Sequence, residues 1–267
     1  MNQSHFVKTD GHCLHYRTFG SGSAPFLYFH GFGENAEEFS PPHSWRAQYR
    51  FYAFDLFYHG RSEGDRTPMT LKRWREIFKV FIQQERIKKH SITIAGYSMG
   101  GRFALATLVV LPDYIRQAFL VAPDGIYRSF WYRLALSFQP VFHYLMSHPT
   151  HFEQILRWVE KWKLASTSLV KFSRKELGPV EHRMRVYYCW TLFRPLGLPK
   201  RQLIRQLNKA AVPIRVFLGT KDYIIPVREV LPTMKKVKTT TSHILPTRHH
   251  EIVAATWDLL LDLENTN

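Results

Sequence analysis

The chain has 267 residues, 45% hydrophobic and 22% charged, with 37 Lys/Arg against 21 Asp/Glu for a formal net charge of +16. That much apolar residue over that length buries roughly 75% of the unfolded surface, which excludes a disordered chain and makes a metal or disulfide staple unnecessary. Cys13 and Cys189 alone cannot frame a disulfide scaffold, Met1 to Gly20 has no apolar core of a secretory leader, and the longest mostly apolar run, Phe103 to Leu111, is far short of a membrane span.

Strand-like and helix-like segments alternate through the first half. Phe26 to His30, Arg50 to Leu56, Ser91 to Tyr97 and Gln117 to Ala122 are short, β-branched or aromatic, and bounded by turn residues, which predicts buried strands. Between them, Thr70 to Ile87 repeats apolar residues at helical spacing (Leu71, Trp74, Ile77, Phe78, Phe81, Ile82), and Ser98 to Leu111 reads as a second helix. This alternation predicts a mostly parallel sheet covered on both faces. It breaks after Asp124. From Ile126 to Ala210 helical stretches dominate, among them Thr150 to Leu164 with Phe152, Ile155, Leu156, Val159 and Trp162 on one face. Strands return at Pro213 to Gly219 and Thr240 to Leu245, and an amphipathic helix from Glu251 to Leu263 closes the chain. The predicted organisation is an α/β core of residues 1–125 and 211–267, interrupted by a helical insertion over 126–210.

The strongest local signal is Gly96-Tyr97-Ser98-Met99-Gly100-Gly101, placed where a predicted strand gives way to a helix. A serine at so sharp a turn projects its hydroxyl above the sheet, and the close approach of neighbouring chain demands glycine on either side. Serine needs a base to take its proton and an acid to orient that base. Asp222 follows the strand that ends at Leu218. His249 and His250 lie on the next such loop, before the last helix. The order Ser98, Asp222, His250 is the one this kind of elbow uses; in the sequences this region resembles, the base precedes a Glu and an apolar pair, and that resemblance favours His250, followed by Glu251-Ile252-Val253, over His249. Asp124 is a rival acid, read instead as a helix cap or loop residue. The turn His30-Gly31-Phe32-Gly33 can aim the Phe32 N–H at a substrate oxygen, with the Met99 N–H as the second donor of an oxyanion hole.

Taken together, His30-Gly31-Phe32-Gly33, the stretch Asp55 to Ser62, the Ser98 elbow, Asp222 and His250 resemble the α/β-hydrolase superfamily, specifically its lid-bearing serine hydrolases of esterase or lipase type. The resemblance covers nearly the whole core. It implies an eight-stranded, mostly parallel sheet with the second strand antiparallel, a helical cap after the sixth strand, and hydrolysis of an ester or similar acyl substrate without a cofactor. It also implies structural roles for His30, His59 and Asp55. Phe57 and Tyr58 stand where the family usually has Pro-Gly, a departure expected to reshape one wall of the active-site mouth. Tyr97 and Arg102 are candidate substrate contacts, Arg102 for an anionic group. The run Tyr97 to Arg102 is also similar to the elbow of the menaquinone-pathway cyclohexadiene-carboxylate synthase, so a lyase or C–C bond hydrolase acting on an anionic substrate is the alternative. A non-catalytic binding or membrane-docking member of the fold is the third reading.

The charge is unevenly placed. Residues 126–210 hold 15 Lys/Arg against four Glu, and four of the seven tryptophans: Trp131, Trp158, Trp162 and Trp190. Most of these aromatics are expected to line the pocket or pack on the core, with the cations on a solvated face. A basic, aromatic insertion also suits an anionic membrane surface. No nucleic-acid-binding module is evident and no metal-ligand spacing occurs among the 14 histidines. The expected location is cytoplasmic, or peripheral at a membrane.

Overall fold

The computed structural model describes residues 3–127, 130–164, 170, 174 and 177–265. The chain forms two compact units, one of residues 1–65, 69–127 and 195–267, the other of residues 66–68 and 128–194.

The first unit is built on one sheet. Its strands are β1 (Gln3–Thr9), β2 (His12–Phe19), β3 (Ala24–Phe29), β4 (Tyr49–Phe54), a two-residue β5 (Glu63–Gly64), β6 (Ile92–Tyr97), β7 (Ile115–Val121), β8 (Ile214–Gly219) and β9 (Thr240–Leu245). The order is β1-β2-β4-β3-β6-β7-β8-β9, with β5 on β2. From β4 through β9 every pairing is parallel, and β2 alone runs against this direction, antiparallel to both β1 and β4. The central strand Ile92–Tyr97 is buried at every residue, as expected of a parallel strand covered on both faces. The six strands predicted from the apolar runs are all present. The β1-β2 hairpin has no counterpart in the predicted elements, although its Asp10-Gly11 turn, with Gly11 at φ 71°, is a strong two-residue hairpin signal.

Five helices flank the sheet. In α1 (Leu71–Gln84) the Thr70 hydroxyl caps the Arg73 N–H, and the predicted stripe from Trp74 to Ile82 is buried. In α2 (Met99–Val110) every residue from Met99 to Leu108 is buried, so this helix is central rather than amphipathic. Phe29 meets Trp74 and Phe78 between them, Trp74 packs edge-on to Phe103, and the indole N–H of Trp74 donates to Thr107 Oγ1 at 2.9 Å.

In the second unit lie α3 (Phe130–Ser137), α4 (Gln139–Ser147), α5 (Pro149–Lys161) and α6 (Val180–Leu192). Phe142 packs between Tyr187 and Trp190, with ring centroids at 5.5 and 5.7 Å. The buried Arg183 donates to the carbonyls of Met146, Leu177 and Gly178, tying the end of α4 to the segment before α6. Arg128, Lys171, Lys175 and Glu176, counted above in the insertion's charge, lie outside the described residues, as do the side chains of Phe130 and Trp131.

The insertion ends earlier than expected. The helix α7 (Lys200–Ala210), assigned above to it, belongs to the sheet-bearing unit, and the division falls after Arg194 instead of Ala210. The reason is its narrow apolar stripe. Leu203 and Leu207 are buried, and Leu203 lines a small cavity together with Leu105 and Val109 of α2 and with Leu196. The helices α8 (Val227–Met234) and α9 (Ile252–Asn265) complete the first unit. Among the described residues no helix is long and apolar enough to cross a membrane.

Candidate active site

Chain geometry at the end of β6 sets the position of Ser98. Ser98 sits at φ 47°, ψ −115°, a conformation that L-residues avoid, and it forms the N-cap of α2. The turn survives because its neighbours hold it from both sides. Ser98 N–H donates to Val121, and its carbonyl accepts from both Gly101 and Asp124. A Cβ on Gly100 would come within 2.0 Å of the Phe29 carbonyl oxygen, and one on Gly96 within 2.5 Å of the Gly100 oxygen. The glycines of the motif are therefore there to let α2 approach β3 and β6 closely. The Met99 N–H stands in the first turn of α2, where no intrahelical acceptor exists.

The loops after β8 and β9 bring an acid and a base to this hydroxyl. Asp222 is buried. Its Oδ1 accepts from the N–H groups of Ile224 and Ile225 at 2.8 and 2.9 Å, which leaves Oδ2 facing His249 Nδ1 at 2.6 Å. His249 Nε2 lies 3.0 Å from Ser98 Oγ. A carboxylate only accepts, so Nδ1 carries the proton and Nε2 is the acceptor for the serine hydroxyl.

This corrects the expected base. His250, favoured above, points away: its side chain is 74% exposed and lies 3.8 Å from Glu251. The turn decides the register. Glu251 accepts from the Arg248 N–H through its carboxylate, and its own N–H donates back to the Arg248 carbonyl. Within that closed turn the two consecutive histidines face opposite ways. Tyr97 fixes the inward one, its hydroxyl donating to the His249 carbonyl at 2.9 Å.

Tyr97 and Arg102 are consequently placed differently from the substrate contacts expected of them. Tyr97 is buried and committed to the His249 loop, its ring 5.3 Å from the imidazole. Burial first, then the charges of Glu34 and Asp222, raises its hydroxyl far above its ordinary value, so it stays a donor. Arg102 is buried and ion-paired to Asp124 at 2.7 Å. Asp124 thus serves neither as the acid of this relay nor as a helix cap. It anchors Arg102 and accepts from the Gly125 N–H.

The loop after β3 is held by the structural histidines. His30 Nε2 accepts from the Leu56 N–H, so its Nδ1 carries the proton and donates to the Gly31 carbonyl. His59 Nε2 accepts from the Gly33 N–H, and its Nδ1 donates to the Phe57 carbonyl. The Gly31 N–H is taken by Glu34 Oε2 at 2.9 Å. Among the described residues the N–H of Phe32, between these two, has no acceptor. Glu34 is a site residue that the sequence analysis missed. Burial pushes its carboxyl above the usual carboxylate range, the Gly31 N–H pulls it down, Glu38 adds to the rise, and the nearby His249 opposes it.

Phe57 and Tyr58, which depart from the family's Pro-Gly, are each held by a neighbour. Phe57 is buried edge-on against His12, and Tyr58 adopts φ 67° with its hydroxyl on the Asp65 carbonyl. A second Ser-His-Asp array stands elsewhere. Ser4 Oγ lies 2.6 Å from His15 Nε2, and His15 Nδ1 lies 2.7 Å from Asp55 Oδ2. Its chemistry differs. Arg61 donates to Ser4 Oγ, drawing electron density from it, and Ser4 is on an extended edge strand with no helix N-terminus behind it. Asp55 also accepts from the N–H groups of Ala36 and Arg61. This array ties β1 and β2 to the segment after β4.

The chain matches the family model of the alpha/beta hydrolase fold over residues 24–254, and it belongs to that family. An uncharacterized protein of Mycobacterium tuberculosis is 25% identical over 236 residues, covering 84% of this chain and 68% of that one. Carboxylesterase CesB of Bacillus subtilis superposes with a TM-score of 0.68 at 17% identity, covering 98% of this chain and 90% of that one. The enol-lactonase of Burkholderia xenovorans gives 0.69 at 17% identity, covering 98% and 100%. At these identities the structures speak for the fold.

Proposed function

We propose that the protein is a serine hydrolase that cleaves a carboxylic ester or similar acyl substrate. The observation that carries this reading is the unbroken relay from Ser98 Oγ through His249 to Asp222, at 3.0 and 2.6 Å, with the serine on a strained elbow. His249 Nε2 takes the serine proton as Oγ attacks the acyl carbon. The N–H groups of Phe32 and Met99 receive the oxyanion, each donor contributing on the order of 3 kcal/mol. Collapse of the tetrahedral intermediate expels the alcohol, protonated by His249, and leaves an acyl-Ser98. Water, deprotonated by His249, then attacks this ester, and Ser98 is regenerated. Asp222 holds the imidazole tautomer throughout and stabilises the imidazolium. A carboxylesterase and a lactonase among the similar folds act on the same bond type by name. The lyase alternative rests on the run Tyr97 to Arg102, and the pairing of Arg102 with Asp124 at 2.7 Å lends no support to a role for that arginine in binding an anionic substrate.

The test is a panel of p-nitrophenyl esters of graded chain length together with a fluorophosphonate probe. Ser98→Ala should abolish labelling and lower kcat by about 10⁴-fold or more, and His249→Ala by a comparable factor. His250→Ala should stay within a few-fold of the parent. Full turnover in Ser98→Ala, or a large loss confined to His250→Ala, would overturn the assignment.

A further inference from the structure

The second unit carries an apolar surface that its own packing leaves uncovered. On α5 two stripes run side by side. Phe152, Leu156 and Val159 face inward, whereas Ile155, Trp158 and Trp162, spaced three and four residues apart, form an adjacent stripe turned to solvent. Trp158 is 56% and Trp162 61% exposed. This corrects the expectation that these tryptophans pack on the core. On α4, Phe138, Val141 and Tyr144 form a similar outward stripe, with Phe138 at 59% and Val141 at 55%. Tyr144 joins the two helices, its ring stacked on His148 at 4.1 Å and its hydroxyl 3.2 Å from His151 Nδ1. Single exposed apolar residues are ordinary, but two adjoining helices that each expose a stripe are not.

Charge selects the occupant. The two acids of α5 are already answered: Glu153 by Arg157 and Arg174, and Glu160 by Arg174. Lys161 and Lys163 stand exposed at the tryptophan end, with no carboxylate within salt-bridge distance among the described residues. The unit as a whole has twelve Lys/Arg against four Glu, a net +8 in the sequence. A second copy docked on this face would set like charge against like. We infer that the α4–α5 face of the second unit docks on an anionic phospholipid surface, Trp158 and Trp162 entering the headgroup boundary while Lys161 and Lys163 meet lipid phosphates. The inference concerns binding and does not rest on the ester reading.

The experiment is vesicle co-sedimentation of the full chain, with intrinsic tryptophan emission followed in parallel. Phosphatidylserine-containing vesicles are compared with pure phosphatidylcholine at low and high salt. We expect binding to the anionic vesicles, a blue shift on binding, and loss of most binding at high salt as the charges are screened. The double substitution Trp158→Ser, Trp162→Ser should weaken binding by about tenfold or more and remove most of the blue shift. Lys161→Glu with Lys163→Glu should weaken it by a similar factor, a check that does not touch the apolar stripe. Circular dichroism and ester turnover should match the parent in both variants, which separates failure of this docking from failure of the catalytic reading. No partition onto anionic vesicles at low salt, binding indifferent to both double variants, or concentration-dependent dimerisation lost with the tryptophans would overturn it.

Discussion

Glu34 shows how much of the site depends on a residue that does none of the bond making. Its carboxylate closes the loop after β3 by accepting the Gly31 N–H, and its charge lies near enough to His249 for the two to influence each other. Tyr28 and Tyr97 surround it as neutral hydroxyls, and Glu38 is the other acid nearby. Burial holds the Glu34 carboxyl above the usual carboxylate range, so it takes up its proton at higher pH than a free carboxyl would. Glu34→Gln keeps an acceptor for Gly31 but not the charge. We expect kcat at the plateau to change only a few-fold in this variant, and the part of the parent's acid-side loss that comes from protonating Glu34 to vanish from its pH profile. Glu34→Ala should lower kcat further, by about tenfold, because the Phe32 N–H is no longer held in place. A pH profile identical in parent and Glu34→Gln would remove the electrostatic role. At this scale the sequence reached Ser98 and Asp222 from chain order alone, because glycine spacing and strand ends are local signals. It placed the base one residue late. The closed turn from Arg248 to Glu251 is a hydrogen-bonding fact, and two adjacent histidines offer no periodicity by which to choose.

Elements were legible in proportion to how plainly their residue types repeat: β9 was found although none of its residues is buried, and β2 was missed although most of its residues are. The central strands and α1 announce themselves by unbroken apolar runs or a stripe, whereas the edge strand β1 and its neighbour β2 mix histidines and cations with apolar residues and escaped notice. What holds that edge is polar. His15 reaches back from β2 to Asp55 after β4, and Ser62 Oγ accepts from the His15 N–H while donating to the Asp55 carbonyl. Burial alone would raise the Asp55 carboxyl. Hydrogen bonds from His15, Ala36 and Arg61, with the charge of His15, outweigh it and bring it below the usual value of about 3.9. A carboxyl lowered on folding contributes stability that is present above its unfolded value and is lost as pH falls through its folded value. Asp55→Asn should therefore cost about 3 kcal/mol near neutrality, where the ionised carboxylate serves three donors. The gap to the parent should narrow as pH falls below about 4. Urea unfolding at neutral and acid pH checks both halves, and a pH-independent difference would mean that Asp55 acts by shape and not by charge.

At the scale of the molecule, moving α7 into the sheet-bearing unit redistributes the charge. That helix has four cations and no acid, so the net +16 divides into +8 on each unit, although the second unit is far smaller. Charge of one sign at that density repels itself in the compact state and is diluted on unfolding. The ion pairs present do not offset this. Several are exposed surface pairs such as Arg157 with Glu153 and Arg228 with Glu229, each worth about 0–1 kcal/mol. Screening should then stabilise the protein. Raising sodium chloride from low to moderate ionic strength should lift Tm by about 2–4 °C, the shift of roughly 1 kcal/mol for a chain of this size. A flat response would mean that attractive and repulsive pairs balance. A fall would mean that ion pairs dominate and that the +16 carries no stability cost. Glycerol at matched viscosity separates screening from preferential exclusion. A rise with salt would accord with the lipid-facing charge of α5: a protein that retains a destabilising excess of cations at a tryptophan-bearing face has a reason other than folding to hold them there.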